Sequence, residues 1–184
     1  MLSNTGNLIL LLNILLSFLI IYYSLKCIRL PNNIISRNIY QLSLLQCTTI
    51  LICFFTLVAA FLVSDFSLIT VYQNSHSLKP IFYKISGTWG NHEGSLLLWL
   101  LVLTLFIFIF LIKSKDQKKN YRILTLLFQQ IIIIGFFIFL IKTSNPFNYI
   151  FPVPIEGLGL NPILQDPALA IHPPILYLGY VGSS

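Results

Sequence analysis

Residues 87–112 read GTWGNHEGSLLLWLLVLTLFIFIFLI. From Ser95 to Ile112 the run contains no charged residue, and the helix expected from about Glu93 to Ile112 has the length of about 20 residues that crosses the hydrocarbon core of a bilayer. The polar cluster before it is a helix start. Asn91 is suited to the N-cap, and Glu93 in the first turn favours the helix dipole. Trp89 and Trp99 fit the aromatic belt at a membrane boundary. Capping and belt account for Glu93 and Trp99, but they require neither His92 nor Trp89.

Three further apolar runs flank this one, at about Leu8–Leu25, Leu42–Val63 and Ile123–Ile141. The whole chain is 57% hydrophobic and only 9% charged, where a soluble domain carries about 25% charged residues. The fold expected is therefore an all-α membrane protein, a single transmembrane domain over residues 1–184, with four complete transmembrane helices and the start of a fifth. The first run has no basic segment before it and no small-residue cleavage site, so it reads as a retained helix rather than a signal peptide. Two outer-face loops are expected, at 64–92 and 142–172. Within the first, SDFSLITVYQNS reads as a short strand or extended run, and His76 as a solvated surface residue. Cys27, Cys47 and Cys53 form no CxxC pair and read as small buried apolar residues.

The net charge of +6 sits in short loops beside apolar runs, which points to membrane orientation and not to nucleic acid. Lys26, Arg29 and Arg37 lie in the first loop, and Lys113, Lys115, Lys118, Lys119 and Arg122 in the third. By the positive-inside rule these loops face the cytoplasm or matrix, and His76, His92 and His172 lie outside. No charged residue lies deep in the four spans, where an ion pathway would normally place one, which disfavours a pump or exchanger.

The final stretch, residues 161–182, reads NPILQDPALAIHPPILYLGYVG. Proline fixes its own φ and pushes the preceding residue out of the helical region. The expectation is a loop ending at an extended His172 and a helix starting at Pro173 or Pro174, where a missing N–H costs little. An imidazole at the positive end of a helix favours its neutral form, the form a metal ligand needs. The alternative role is a hydrogen bond to an interfacial carbonyl. His92 and His172 then start two helices on one face, with Trp89, Tyr177 and Tyr180 nearby, a setting that suits a flat aromatic cofactor such as haem. Residues 144–167 carry prolines at 146, 152, 154, 162 and 167 and read as a fixed loop in which Asp166 caps a turn.

The segments AAFLVSDFSLITVYQNS, TWGNHEGSLLLW, TSNPF and PIEGLGLNPILQDPALAIHPPILYLGYVG, in this order, resemble the N-terminal part of the CcmF family. These are haem-lyase membrane proteins of the cytochrome c maturation system, within the haem-handling superfamily. The resemblance covers roughly Ala59 to Gly182. It implies a multi-pass inner-membrane protein, bacterial or mitochondrial, that presents haem b on the outer face for attachment to the CxxCH motif of an apocytochrome. It implies His172 as a haem-iron ligand. It leaves Trp89, His92, Glu93, Pro173, Pro174 and Tyr177 as a candidate haem or partner site. Expected partners are a haem chaperone, apocytochrome c, other maturation-complex membrane subunits, the lipid bilayer and a separate C-terminal half chain. The family's tryptophan-rich outer segment and further haem-binding histidines are not in these 184 residues, so activity as a haem lyase is not expected of this chain alone. The competing readings are a transporter or channel subunit and a cofactor-free structural subunit of a membrane assembly.

Overall fold

The computed structural model describes residues 2–30 and 33–183. Among these residues seven α-helices follow one another: α1 (Leu2–Arg29), α2 (Asn33–Leu62), α3 (Ile69–Asn74), α4 (Ile81–Gly87), α5 (His92–Lys113), α6 (Lys119–Thr143) and α7 (Pro167–Gly182). A short 3₁₀ turn, Pro162–Gln165, precedes the last of them. Four helices, α1, α2, α5 and α6, are long and apolar enough to cross a membrane. Each exceeds the apolar run that betrays it, because polar residues at a membrane boundary continue a helix as readily as apolar ones.

The four spans close into a ring: α1 packs on α2 and α6, and α5 packs on the same two. The inward face of α1 shows why. Besides Leu16, its buried residues are Ser3, Gly6, Leu10, Asn13, Ser17, Ile20, Ser24 and Cys27, which alternate by three and four as a coiled-coil seam does. Five of these eight are glycine, serine or asparagine. The outward face instead exposes Leu8, Leu11, Leu15, Phe18 and Tyr22. A soluble bundle arranges these classes the other way. Small and polar residues inside, with large apolar residues outside, is the pattern of helices that associate in lipid by close approach and hydrogen bonding.

The ring is tied across its centre by side-chain amides. Gln130 donates from Nε2 to Gln46 Oε1 at 2.9 Å, and Gln46 donates from Nε2 to Ser17 Oγ at 2.7 Å. Thr49 donates to Asn13 Oδ1 at 3.1 Å one turn away. Both glutamines are buried, so removing one strands the other. Gln46→Leu is expected to cost about 1–2 kcal/mol, near the top of the range for interhelical hydrogen bonds in membranes. The double variant Gln46→Leu/Gln130→Leu should recover part of that loss, which unfolding of the two single variants and the double in detergent will measure.

The stretch expected to be a short strand is helical instead, as α3. Among the described residues the nearest thing to a strand is one antiparallel bridge between Leu68 and Tyr149. There Ile69 donates its N–H to Asn148 O at 3.0 Å and Ile150 to Ser67 O at 2.9 Å. The two long connections thus fold onto each other at one end of the bundle. Leu158 and Gly159 extend the seam with bonds to Tyr72 O and Ser75 O. Gly157 must be glycine for this approach, since a Cβ there would lie 2.1 Å from Ser75 O.

The expected start of the final helix is corrected. Helix α7 begins at Pro167, not at Pro173 or Pro174, and His172 lies inside it and not in an extended loop. Asp166 is the reason. Its Oδ1 accepts from the N–H groups of Ala168 at 2.8 Å and Leu169 at 3.1 Å, a full N-cap, and Pro167 occupies N1. The diproline therefore falls in the second turn, past the region in which the helix dipole acts most strongly.

Candidate functional site

A proline inside a helix leaves the carbonyl four residues earlier without its donor. Pro173 and Pro174 do this to Leu169 and Ala170. The indole of Trp89 supplies one replacement: its Nε1–H donates to Ala170 O at 2.8 Å. The same indole stacks on Phe54 of α2, with centroids 6.5 Å apart and planes 15° apart. Trp89 therefore joins α2, the approach to α5 and the first half of α7. This is the general way a proline is tolerated in a membrane helix, with a neighbour re-satisfying the freed backbone. It is also why the WG and HPP motifs belong to one structural unit.

Farther along, Tyr177 of α7 lies parallel to Trp99 of α5, with centroids 6.4 Å apart and planes 3° apart. Trp99 in turn packs on Phe136 of α6 at 4.4 Å. A Cβ on Gly182 would lie 2.6 Å from the Phe106 ring. The contacts 170 to 89, 177 to 99 and 182 to 106 advance together, so α7 descends beside α5 in the same direction.

The inner face of α7 holds Ala170, Pro173, Pro174, Tyr177 and Val181, all buried or half-buried. His172 is on another face. It is five residues from Tyr177, about 140° around the helix. Its side chain is exposed, and among the described residues it makes no hydrogen bond. Its helical neighbours are Ile175, 62% exposed, and Leu176, 50% exposed. Gly179, two turns on, has nothing within 4 Å of where a Cβ would stand. The result is an imidazole at the head of an open, flat, apolar stripe.

His92 is placed differently. It opens α5 behind the Asn91 cap, whose Oδ1 accepts from Gly94 N at 2.7 Å, and its ring rests edge-on against Phe139 of α6, centroids 6.3 Å apart. Glu93 is half-buried in the same first turn. His76 is not a freely solvated residue: its Nδ1 lies 3.8 Å from Glu156 Oε1 and accepts from Leu78 N at 3.2 Å. Glu156 accepts from the Ser77 hydroxyl, from Ser77 N at 2.9 Å and from Gly157 N at 3.0 Å. The Ser77 hydroxyl, then these two N–H groups, hold its carboxyl at about 2, below its ordinary 4.5. A depressed carboxyl contributes its anchoring above pH 4.5 and loses it as the pH falls toward 2. Ser77→Ala should raise this titration, read from the carboxylate infrared band, and bring the loss to higher pH.

Haem iron is held by a protein donor, commonly a histidine nitrogen, and the macrocycle packs on apolar surface. The exposed imidazole of His172 and the apolar stripe beside it present a nitrogen donor and apolar surface together. Among the described residues no group of three or more His, Cys, Asp or Glu side chains gathers to hold a metal ion. Two residues that sequence reasoning passed over support this site: Ala170, for its carbonyl, and Gly94, where a Cβ would lie 1.6 Å from Thr88 O. A diproline four residues after a small residue, and a glycine in a first turn, were the available signals.

Trp89→Phe keeps the stacking area and removes the donor. It is expected to destabilise by about 1–3 kcal/mol, the cost of a stranded buried carbonyl. Faster amide exchange confined to the first half of α7 would show that the loss is local.

Residues 89–184 match the family described as Cytochrome C assembly protein. A curated relative, the cytochrome c-type biogenesis protein CycK of Rhizobium meliloti (strain 1021), is 51% identical over 131 residues, 71% of this chain and 19% of its own length. The cytochrome c-type biogenesis protein CcmF of Escherichia coli (strain K12) is 45% identical over 132 residues, 71% of this chain and 20% of its own. A solved structure titled Cytochrome c Heme Lyase CcmF superposes with a TM-score of 0.80 at 26% identity, covering 99% of this chain and 28% of that one. The chain thus spans about a fifth of the length of the curated relatives it matches.

Proposed function

Since this multi-pass membrane protein belongs to the cytochrome c assembly protein family, we propose that it presents haem, through His172, for covalent attachment to an apocytochrome c. The observation that carries the reading is the unengaged His172 imidazole at the head of the α7 stripe. Haem is the substrate here, and the relatives' printed names, biogenesis protein and haem lyase, support that choice.

The chain's own residues divide the work. His172 would offer a nitrogen to the haem iron. Ile175 and Leu176 offer apolar surface beside it, and Gly179 leaves that surface flat. Pro173 and Pro174 stiffen the backbone next to the ligand. Trp89, through Ala170, and Trp99, through Tyr177, hold α7 on α5, so the imidazole is placed before the substrate arrives. Positioning of this kind lowers a barrier by removing entropy in advance. Bond formation, in which a cysteine thiol adds across a haem vinyl group, is assigned to the assembled complex. The partners in this reading are a haem chaperone, the apocytochrome, other membrane subunits of the pathway and a polypeptide supplying the rest of the family's length. By the positive-inside rule the basic end of the bundle would face the cytoplasm or matrix and His172 the outer side.

The test is the Soret band of the protein purified from membranes after co-expression with that remaining polypeptide. A band carried by the wild-type protein and lost in His172→Ala supports the reading. A band unchanged in His172→Ala removes His172 from the mechanism.

A further inference from the structure

At the end of the bundle away from His172, the start of α2, the end of α5 and the start of α6 leave a cleft of about 400 Å³. Four basic side chains from three parts of the chain line it: Arg37 of α2, Lys115 of the α5–α6 turn, and Lys119 and Arg122 of α6. Below them the wall is apolar, with buried Leu111 and Leu126. Arg122 is fixed in place. Its Nε–H donates to Ser114 Oγ at 3.0 Å and its Nη2–H to Leu111 O at 2.7 Å, the latter at the negative end of α5. Both acceptors are neutral, so the guanidinium charge is not cancelled.

Among the described residues no carboxylate pairs with any of the four, and the close approach of a carboxylate to a basic side chain is that of Glu156 to His76, at the opposite end. Asp116, the acid nearest in sequence, lines a separate hollow with Lys113. The cleft also borders the N-terminus of the 25-residue helix α6, whose N-cap, Lys118, supplies no side-chain acceptor. Open N–H groups and the helix dipole add to the attraction for an anion.

Membrane orientation requires basic residues at this end of the bundle; it does not require them to converge on one cleft. We propose that this cleft binds the phosphate of an anionic phospholipid, with the first acyl carbons lying along the apolar wall. Basic pockets between transmembrane helices recognise headgroups of this class. The apolar wall and the exposed apolar flank beside it, Tyr40 at 41% and Leu124 at 45%, favour a lipid over a free phosphate as the source.

The experiment is native mass spectrometry of the detergent-purified protein, titrated with phosphatidylglycerol, cardiolipin, phosphatidylcholine or inorganic phosphate at physiological salt. The anionic lipids are expected to bind and phosphatidylcholine to be lost. The variant Arg37→Gln/Lys115→Gln/Lys119→Gln should weaken anionic-lipid binding on the order of 100-fold, at roughly fivefold per charge. Arg122 is left intact because its two bonds hold the turn. The control Lys26→Gln/Arg29→Gln removes charges at the same end outside the cleft, and should change binding by less than about twofold because such charges are screened. Equal losses per charge in the two variants would overturn the site in favour of a diffuse basic surface. Displacement of the lipid by millimolar inorganic phosphate would overturn the lipid assignment.

Discussion

Replacing His172 with alanine is expected to abolish haem retention and, with it, covalent cytochrome c formation. The side chain is exposed and makes no hydrogen bond among the described residues, so its removal leaves no cavity and strands no partner. A fall in stability is therefore not expected, and the two effects separate cleanly. Loss of an outer-shell partner of a metal ligand typically costs 10–100-fold in affinity. Loss of the ligand itself should exceed this. The measurement is Soret absorbance per protein, with haem-stained cytochrome c from the same cells. His92→Ala, which removes a ring that rests edge-on against Phe139, is expected to retain the band. The reverse pattern, a band kept in His172→Ala and lost in His92→Ala, would move the ligand to α5.

The second large effect is structural and is placed at Gly94. An alanine Cβ there would lie 1.6 Å from the carbonyl oxygen of Thr88, a backbone atom that no rotamer change can withdraw. Overpacking costs typically 1–3 kcal/mol where side chains can yield, and this case belongs at or beyond the upper end. The melting temperature should drop by roughly 6–12 °C at about 2–4 °C per kcal/mol. The damage should also spread. Gly94 N donates to the Asn91 cap, and the neighbouring Trp89 holds Ala170. Gly94→Ala should therefore loosen the first half of α7 as Trp89→Phe does. Gly135→Ala is the control. Nothing lies within 4 Å of its Cβ position, and alanine is the better helix former by about 1 kcal/mol, so that variant should be neutral or more stable. Similar losses at both glycines would mean that crowding at Thr88 is not the cause.

Much of the fold was written in local composition. Four uninterrupted apolar runs specify four spans whatever they pack against, because the bilayer fixes the length required. Asn91 before Glu93 announced the start of α5, and the structure has that cap. The TWGNHEGS and HPP segments also carried the family resemblance. The α1 seam, recurring every three and four residues, was present in the sequence too. It is easily passed over, since serine and asparagine in an apolar run look like impurities until the solvent is recognised as lipid.

What the chain alone decided, then, was its solvent, its four spans and the imidazole it offers, since each follows from residues within a turn or two of one another. What only the tertiary structure decided was how that imidazole is held. Trp89 reaches Ala170 across 81 positions, and Gln46 reaches Gln130 across 84. The carbonyl freed by Pro174 takes its donor from a distant segment, so the first half of α7 is held by a residue that its own sequence does not contain. His92 and His172 face different neighbours for the same reason: the direction of a side chain is set by the angle at which its helix packs, and sequence spacing does not contain that angle.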